Sequence, residues 1–176
     1  MYFAIHVQGG KEKTIIEVIN NKLDKTHFDE VFSPVRESIR KKDGKEYTIN
    51  EVLFPGYIFV STNDPKAFAA ELFYIPQYAR MLGRDESSGD YLPLSEEEVV
   101  MMDTLCGKEV DRTLKASLIQ LEEGKKVKVV YGQLQGLEGY IYKVDLHKRI
   151  CTLRISILGN KLDLNVPISY VKKQYN

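Results

Sequence analysis

The chain has 176 residues, enough for one or two domains, and its 25 basic residues balance 25 acidic ones. No apolar run approaches the roughly 20 residues that cross a bilayer, and the opening residues MYFAI lack a basic leader, so we expect neither a membrane segment nor a signal peptide. Cys106 and Cys151 stand far apart without a Cys or His at ligand spacing. We therefore expect reduced thiols in a cytoplasmic protein that has no metal site and no cofactor.

The balanced total charge hides an uneven distribution along the chain. Residues 1–83 hold 11 basic and 11 acidic groups, residues 84–123 have a net charge of −7, and residues 124–176 have a net charge of +7. A basic C-terminal module indicates a polyanionic partner such as RNA or the ribosome surface. The acidic segment before it offers an equally simple interpretation, in which the two charges offset each other within the chain.

The first half of the chain alternates between short apolar runs and amphipathic segments. Residues 2–7 predict a buried strand, and after Gly9-Gly10 residues 11–23 place apolar side chains at helical spacing. Extended structure resumes at residues 31–35. A basic hairpin then turns at Asp43-Gly44, because this dipeptide favours the left-handed conformations of a tight turn.

Residues 50–107 predict two more strands and two helices. Residues 50–61 form an apolar strand interrupted by Pro55-Gly56, followed by a helix over residues 65–73 and a strand over residues 78–82. Ser95 and Glu98 form a capping box before an apolar face, and Gly107 can end that helix. This order predicts an α+β fold with an antiparallel sheet and flanking helices. The polar, aperiodic residues 108–120 are predicted to be a linker.

The stretch from Gly124 to Val171 carries a distinctive glycine pattern. An alternating strand leads into Gly132, a loop holds Gly136 and Gly139, and further alternating strands follow. Glycines at such positions allow a positive φ or a close backbone approach. This pattern resembles the KOW motif, a small SH3-like β-barrel, and we assign residues 121–176 to such a domain.

Two more stretches extend the resemblance over almost the whole chain. Phe54-Pro55-Gly56-Tyr57 lies within an apolar strand, and Ile75–Gly83 follows the second helix. Together with Tyr2-Phe3 and the KOW stretch, these residues resemble the NusG family of transcription elongation factors. The resemblance implies a domain over residues 1–107 that docks on the clamp helices of RNA polymerase. It further implies a monomer whose KOW domain recruits a second partner, such as ribosomal protein S10 or the termination factor Rho.

The resemblance also implies which residues contact the polymerase. The matching positions, with the last two as neighbours, are Tyr2, Phe54, Pro55, Tyr57, Met81 and Leu82. Because side chains alternate along a strand, Phe54 and Tyr57 cannot both belong to one face. The other interpretation is that these aromatic rings fill the core between sheet and helices.

Several positions depart from the family pattern. The family's usual Trp-Tyr is replaced by Tyr2-Phe3, and the partner-binding tip of the KOW domain has leucines where aromatic residues are common. These tip positions are Leu134, Leu137 and Leu158. Losing aromatic anchors argues against binding to Rho or S10. The chain is therefore more similar to specialised paralogues, such as the LoaP or RfaH branches, than to the general factor.

Basic residues provide candidate contacts to nascent RNA or to the non-template DNA strand. In the hairpin they are Arg36, Arg40, Lys41, Lys42 and Lys45, and elsewhere Lys11, Lys13 and Arg80. The other interpretation of the hairpin charges is a solvated tip.

The sequence offers no constellation typical of an enzyme. Its three histidines are scattered, and Gly132, Gly136 and Gly139 do not match a phosphate-binding loop. Two functions remain. One is an elongation factor that rides on RNA polymerase and modulates pausing or termination, and we expect it to act by processive antitermination. The alternative is a free RNA- or ribosome-binding KOW protein.

Overall fold

The computed structural model describes residues 1–107, 112–122 and 126–171, which divide into two compact units. The first unit comprises Met1–Pro34 and Phe54–Val99. The second comprises Val35–Leu53 and the described residues from Val100 onwards. The first unit is therefore discontinuous in sequence, because the hairpin inserted in it belongs to the second.

The first unit is a four-stranded antiparallel sheet with two helices on one face. Its strands are β1 (Tyr2–Val7), β2 (Glu30–Phe32), β5 (Tyr57–Ser61) and β6 (Ala79–Met81), in the order β2-β5-β1-β6, and its helices are α1 (Glu12–Lys22) and α2 (Pro65–Leu72). Phe3, Ile5 and Val7 of β1 share one buried cluster with Ile15 of α1 and Phe68 of α2. Burying each such large apolar side chain stabilises the fold by roughly 1.5–3 kcal/mol.

The second unit begins with a long hairpin. Its strands are β3 (Val35–Lys42) and β4 (Lys45–Val52), and Lys42 pairs with Lys45 across the turn. Asp43 and Gly44 have φ angles of 52° and 75°, the left-handed pair expected in a type I′ turn. The predicted hairpin turn is therefore confirmed. A short strand, β7 (Thr113–Leu114), pairs in parallel with β3.

The remainder of the second unit is a five-stranded sheet. Its strands are β8 (Ser117–Leu121), β9 (Val127–Tyr131), β10 (Ile141–Asp145), β11 (Ile150–Ile157) and β12 (Asn160–Tyr170), in the order β10-β11-β12-β8-β9. Neighbouring strands are antiparallel except for β8 and β12. The predicted combination of an α+β N-terminal part and a KOW-type β domain is confirmed.

Helix α3 (Glu96–Cys106) begins and ends as the sequence predicts. The amide of Ser95 donates to Glu98 Oε2 at 2.8 Å, and the amide of Glu98 donates to Ser95 Oγ at 3.2 Å. These reciprocal bonds form the capping box. Gly107 follows with a φ of 69°, and its amide donates to the carbonyl of Asp103 at 2.8 Å.

The predicted linker over residues 108–120 needs correction in its described part. Residues 108–111 lie outside the described residues, but β7 and most of β8 fall within residues 112–120. Ser117 and Ile119 are fully buried, and β8 lies between β9 and β12. The sequence obscures this strand because a small polar residue, Ser117, occupies one of its buried positions. The five-stranded sheet thus begins at Ser117 and not at residue 121.

Gly132 is held where only glycine fits, and replacing it should destabilise the second unit. Its φ is 115°, and a Cβ would lie 2.5 Å from Ser117 Oγ and 2.8 Å from Ser117 Cα. We expect Gly132→Ala to lower the free energy of unfolding by about 2–4 kcal/mol. Urea denaturation followed by circular dichroism measures this loss.

Gly136→Ala is the matched control for this prediction. Gly136 also has a positive φ, 82°, but no heavy atom lies within 4 Å of its added Cβ. Only the conformational cost, about 1 kcal/mol, then applies. Equal losses in both variants would contradict the role assigned to the contact with Ser117.

Candidate functional site

The candidate site is the sheet face of the first unit that lies opposite α1 and α2. His6 of β1 pairs with Tyr57 of β5 on one side and with Arg80 of β6 on the other. Directly paired residues point to the same face of a sheet. Tyr57, His6 and Arg80 therefore form a row across three strands, on the face that does not carry the helix-side core.

Three aromatic rings gather at one end of this face. The ring of His6 lies 5.4 Å from that of Tyr57 and 5.5 Å from that of Tyr78, measured between centroids. The hydroxyl of Tyr78 lies 3.4 Å from His6 Nδ1. Because the side chain of Tyr78 is 54 % exposed and His6 is also exposed, this group can be reached from solvent. We call Tyr57, His6 and Tyr78 the aromatic triad.

A second set of rings is buried except for Tyr2, which is half-buried. Tyr2 contacts Phe32 edge-on at 5.6 Å, Phe32 stacks on Phe59 at 5.7 Å, and Phe59 meets Phe54 at 5.3 Å. Phe54 is only 1 % exposed. The structure therefore supports the interpretation of Phe54 as a core residue, with no exposed ring to offer a partner.

Pro55 and Gly56 form a tight turn between Phe54 and Tyr57. The amide of Tyr57 donates to the carbonyl of Phe54 at 3.0 Å, and Gly56 has a φ of 83°. Pro at the second position and Gly at the third are typical of a type II turn. The proline therefore does not interrupt a strand, because β4 ends at Val52 and β5 begins only at Tyr57.

A buried carboxylate fixes this turn to the start of α1. Glu12 is 2 % exposed, and its Oε1 accepts hydrogen bonds from the amides of Gly56 at 2.8 Å and Gly10 at 3.1 Å. The amide of Val7 donates to the carbonyl of Gly56 at 2.9 Å. The turn before the aromatic triad is thus held from two sides.

The other predicted polymerase contacts divide between surface and core. Pro55 is exposed, and Tyr2, Tyr57 and Leu82 are half-buried. Met81 is buried in the helix-side cluster opposite the aromatic triad. Polymerase binding by the accessible residues stays a prediction. Sequence reasoning missed His6 and Tyr78, although the alternation of β1 already placed His6 on the face away from Phe3 and Ile5.

The predicted nucleic-acid contacts are divided between the two units. Lys11, Lys13 and Arg80 are exposed in the first unit, whereas the hairpin cations belong to the second. Arg36 and Arg40 both pair with Glu51, and Lys41 lies 3.2 Å from Glu46. Lys42 and Lys45 are exposed beside the turn. Nucleic-acid binding stays a prediction for all of them.

Two of the predicted KOW tip residues face the interior. Leu134 is 0 % and Leu137 8 % exposed, while Leu158 is half-buried with a φ of 47° in the turn before Gly159. Leu134 and Leu137 are therefore core residues and not an exposed tip. The exposed rings of this sheet are tyrosines, which sequence reasoning did not single out: Tyr131, Tyr140 and Tyr142.

The pKa of Glu51 reflects its two arginine partners. Partial burial alone would raise the pKa of this carboxyl, but its hydrogen bond with Arg40 and the charge of Arg36 outweigh burial and lower it. Elsewhere, burial raises the pKa of the Cys106 and Cys151 thiols to about 12, so neither is a ready nucleophile. Within the described residues, no group of three or more metal-binding side chains occurs, and no helix is long and apolar enough to span a membrane.

The chain is similar in sequence to a known family and to named bacterial proteins. The family model described as transcription termination factor nusG matches residues 1–103. A Helicobacter pylori protein named transcription termination/antitermination protein NusG is 23 % identical over 177 residues, covering 98 % of this chain and 97 % of that protein. The protein of the same name from Halalkalibacterium halodurans is 25 % identical, with 98 % and 97 % covered.

A solved structure shares the fold. Thermotoga maritima NusG superposes with a TM-score of 0.53 at 20 % identity, covering 94 % of this chain and 92 % of the other. At this level of identity the likeness concerns the fold alone.

Removing the Glu12 carboxylate should destabilise the first unit. Glu12→Ala leaves the buried amide of Gly56 without its acceptor, so we expect the free energy of unfolding to fall by about 1–3 kcal/mol. Glu12→Gln retains an acceptor oxygen on a side chain of the same length and should lose clearly less. The two urea midpoints test this, and an alanine variant as stable as the glutamine variant would contradict it.

The ion pairs of Glu51 should give a defined pH dependence. Because its pKa is lower in the folded chain, Glu51 stabilises the fold above the ordinary carboxyl value of 4.5 and loses that contribution as the pH falls through the folded value. We expect Glu51→Gln to cost about 1 kcal/mol at pH 7. The gap between the two proteins should shrink steadily below about pH 4.5. Urea denaturation at neutral and acidic pH measures the gap, and a constant difference would refute the assignment.

Proposed function

The chain belongs to the NusG family of transcription factors, and on that premise we propose that it docks on RNA polymerase through the sheet face of its first unit. The observation that carries this proposal is the aromatic triad. The rings of Tyr57, His6 and Tyr78 lie next to one another on the packed sheet of the first unit. Exposed aromatic groups on rigid elements are typical of binding hot spots.

The turn at Pro55 and Gly56 supports the same surface. Pro55 projects into solvent beside Tyr57, while the bond from Gly56 to Glu12 keeps the turn in one conformation. A surface ordered before binding loses little conformational entropy when a partner docks. The partner we propose is the clamp helices of the polymerase, because accessible aromatic and apolar side chains on a rigid sheet can bind the apolar face of an amphipathic helix.

The mechanism we propose is physical bridging. With the first unit across the polymerase clamp, the factor holds the clamp closed over the nucleic acid and so disfavours pausing and termination. Arg80 lies in the same row as Tyr57 and His6, and Lys11 and Lys13 are exposed on the same unit. These cations would meet phosphates of the non-template strand or the nascent RNA.

The KOW-type sheet supplies a second binding function in this proposal. Its partner would meet Tyr131, Tyr140 and Tyr142, because Leu134 and Leu137 are buried. Two of the three residues expected to bind Rho or ribosomal protein S10 are thus buried, which weakens the case for those partners. The +7 net charge of residues 124–176 and these exposed tyrosines favour RNA as the partner in the alternative function, a free RNA-binding protein.

The polymerase proposal is tested by removing two rings of the aromatic triad. We expect the parent to bind purified core RNA polymerase and Tyr57→Ala with Tyr78→Ala to bind at least tenfold more weakly, a loss of about 1.4 kcal/mol or more. The matched control is Phe73→Ala with Tyr74→Ala. These two rings at the end of α2 are 85 % and 84 % exposed and should not matter.

The outcomes separate partner from surface. Failure of the parent to bind would refute polymerase docking and turn attention to the RNA-binding alternative. Equal binding by all three proteins would mean that the polymerase is a partner but that the aromatic triad is not the contact.

A further inference from the structure

A cavity of about 700 Å³ lies within the second unit. The hairpin of β3 and β4 forms one wall. The turn between β10 and β11, residues 146–149, and the end of β12 form the other. Small-molecule sites in proteins have volumes of about 300–1,000 Å³. The cavity is therefore of a size that admits a ligand.

Positive charge dominates the polar lining. The five cations are Arg36, Arg40, Lys41, Lys148 and Arg149, against the three carboxylates Glu37, Glu46 and Glu51. The lining thus has a surplus of two positive charges. This surplus favours an anionic ligand.

The carboxylates position the cations without neutralising them. Glu51 is shared by Arg36 and Arg40, and Glu46 is shared by Lys41 at 3.2 Å and Arg149 at 3.7 Å. Each glutamate thus balances one of its two partners. The guanidinium of Arg36 also donates to the carbonyl of Asn165 at 2.5 Å, which ties the hairpin to β12.

The turn that presents Arg149 is firmly held. The amide of Lys148 donates to Asp145 Oδ1 at 2.9 Å, and the carbonyl of Arg149 accepts from the amide of Ile168 at 2.9 Å. Arg149 itself has a φ of 54°. The backbone thus fixes the position of the Arg149 Cα atom. The guanidinium of Arg149 lies 3.7 Å from the carboxylate of Glu46 in the hairpin.

Apolar side chains complete the lining. Ile39 of the hairpin, which is 48 % exposed, faces the same cavity as Ile150, Ile168 and Tyr170 of the sheet. An aromatic ring and branched aliphatic groups suit the flat face of a nucleobase, whereas the cations suit a phosphate. One nucleotide contains both parts.

We propose that this cavity binds a nucleoside phosphate, with the base against the apolar side chains and the phosphate beside Arg149 and Lys148. The same chemistry occurs in a free nucleotide and in one nucleotide of a single strand. The site does not depend on polymerase docking, since all its residues belong to the second unit.

The proposal is tested on the full chain. Calorimetry measures binding of four nucleoside triphosphates, and fluorescence anisotropy measures binding of RNA and DNA single strands of eight nucleotides. Binding of triphosphates identifies the free nucleotide as the ligand, and binding of strands alone identifies the nucleic acid. Either result supports the site if the variants below respond. For a strand, two surplus charges predict a slope of about −1.4 for log K against log salt concentration.

Two substitutions that break the same ion pair should act in opposite directions. Arg149→Asn removes a cation at a position where Asn tolerates the left-handed backbone, and it should weaken binding about tenfold. Glu46→Gln removes the competing carboxylate and should strengthen binding about threefold. If the ion pair had a purely structural role, both substitutions would change the binding affinity in the same direction. That result would overturn the proposal.

Lys143→Gln with Lys161→Gln is the control, because these exposed lysines of the second unit do not line the cavity. We expect this variant to bind the nucleotide or strand as the parent does. Loss of binding only in this variant, or no binding of any probe by the parent, would overturn the proposal. Polymerase affinity measured on the same variants should not change, so failure here is distinguishable from failure of the docking proposal.

Discussion

The buried carboxylate of Glu12 is the interaction on which the proposed docking face depends. Its oxygen accepts from the amides of Gly10 and Gly56, and so it joins the loop before α1 to the turn before β5. A buried charge is costly unless hydrogen bonds satisfy it. Both amides belong to glycines in the left-handed region, with φ angles of 81° at Gly10 and 83° at Gly56. The fold thus uses one polar contact inside an apolar unit to define where Tyr57 emerges.

The two faces of the first sheet then have different tasks because alternation separates them. Phe3, Ile5 and Val7 pack with the helices, while His6 points the other way and meets Tyr57 and Tyr78. Further along the same face Ala4 pairs with Phe59 and both are fully buried, so the accessible part of this face is the end that carries the aromatic triad. In the second unit the division is different. There the glutamates of the hairpin form ion pairs with cations that line a cavity. The proposed ligand would be bound mainly by charge, whereas the proposed partner of the first unit would be bound mainly by aromatic rings.

Local patterns in the sequence predicted much of this architecture. The capping box at Ser95 and the turn at Asp43-Gly44 depend on near neighbours alone, and both formed as predicted. The burial of Phe54 and Leu134 depends on tertiary packing, which no local pattern reports. Strand β8 was missed because its identity comes from its neighbours β9 and β12 and not from its own composition. The cavity combines residues more than 100 positions apart, so alternation and spacing could not reveal it.

The parallel pairing of β8 with β12 has a consequence for the order of folding during synthesis. It joins Ser117 to Ile168 and Ile119 to Tyr170, so β8 can complete its pairing only after the last described strand has left the ribosome. The residues of the first unit end at Val99. N-terminal parts generally fold first as the chain emerges. The hairpin of residues 35–53 is synthesised early. It can pack against its partners in the second unit only after those partners have been synthesised.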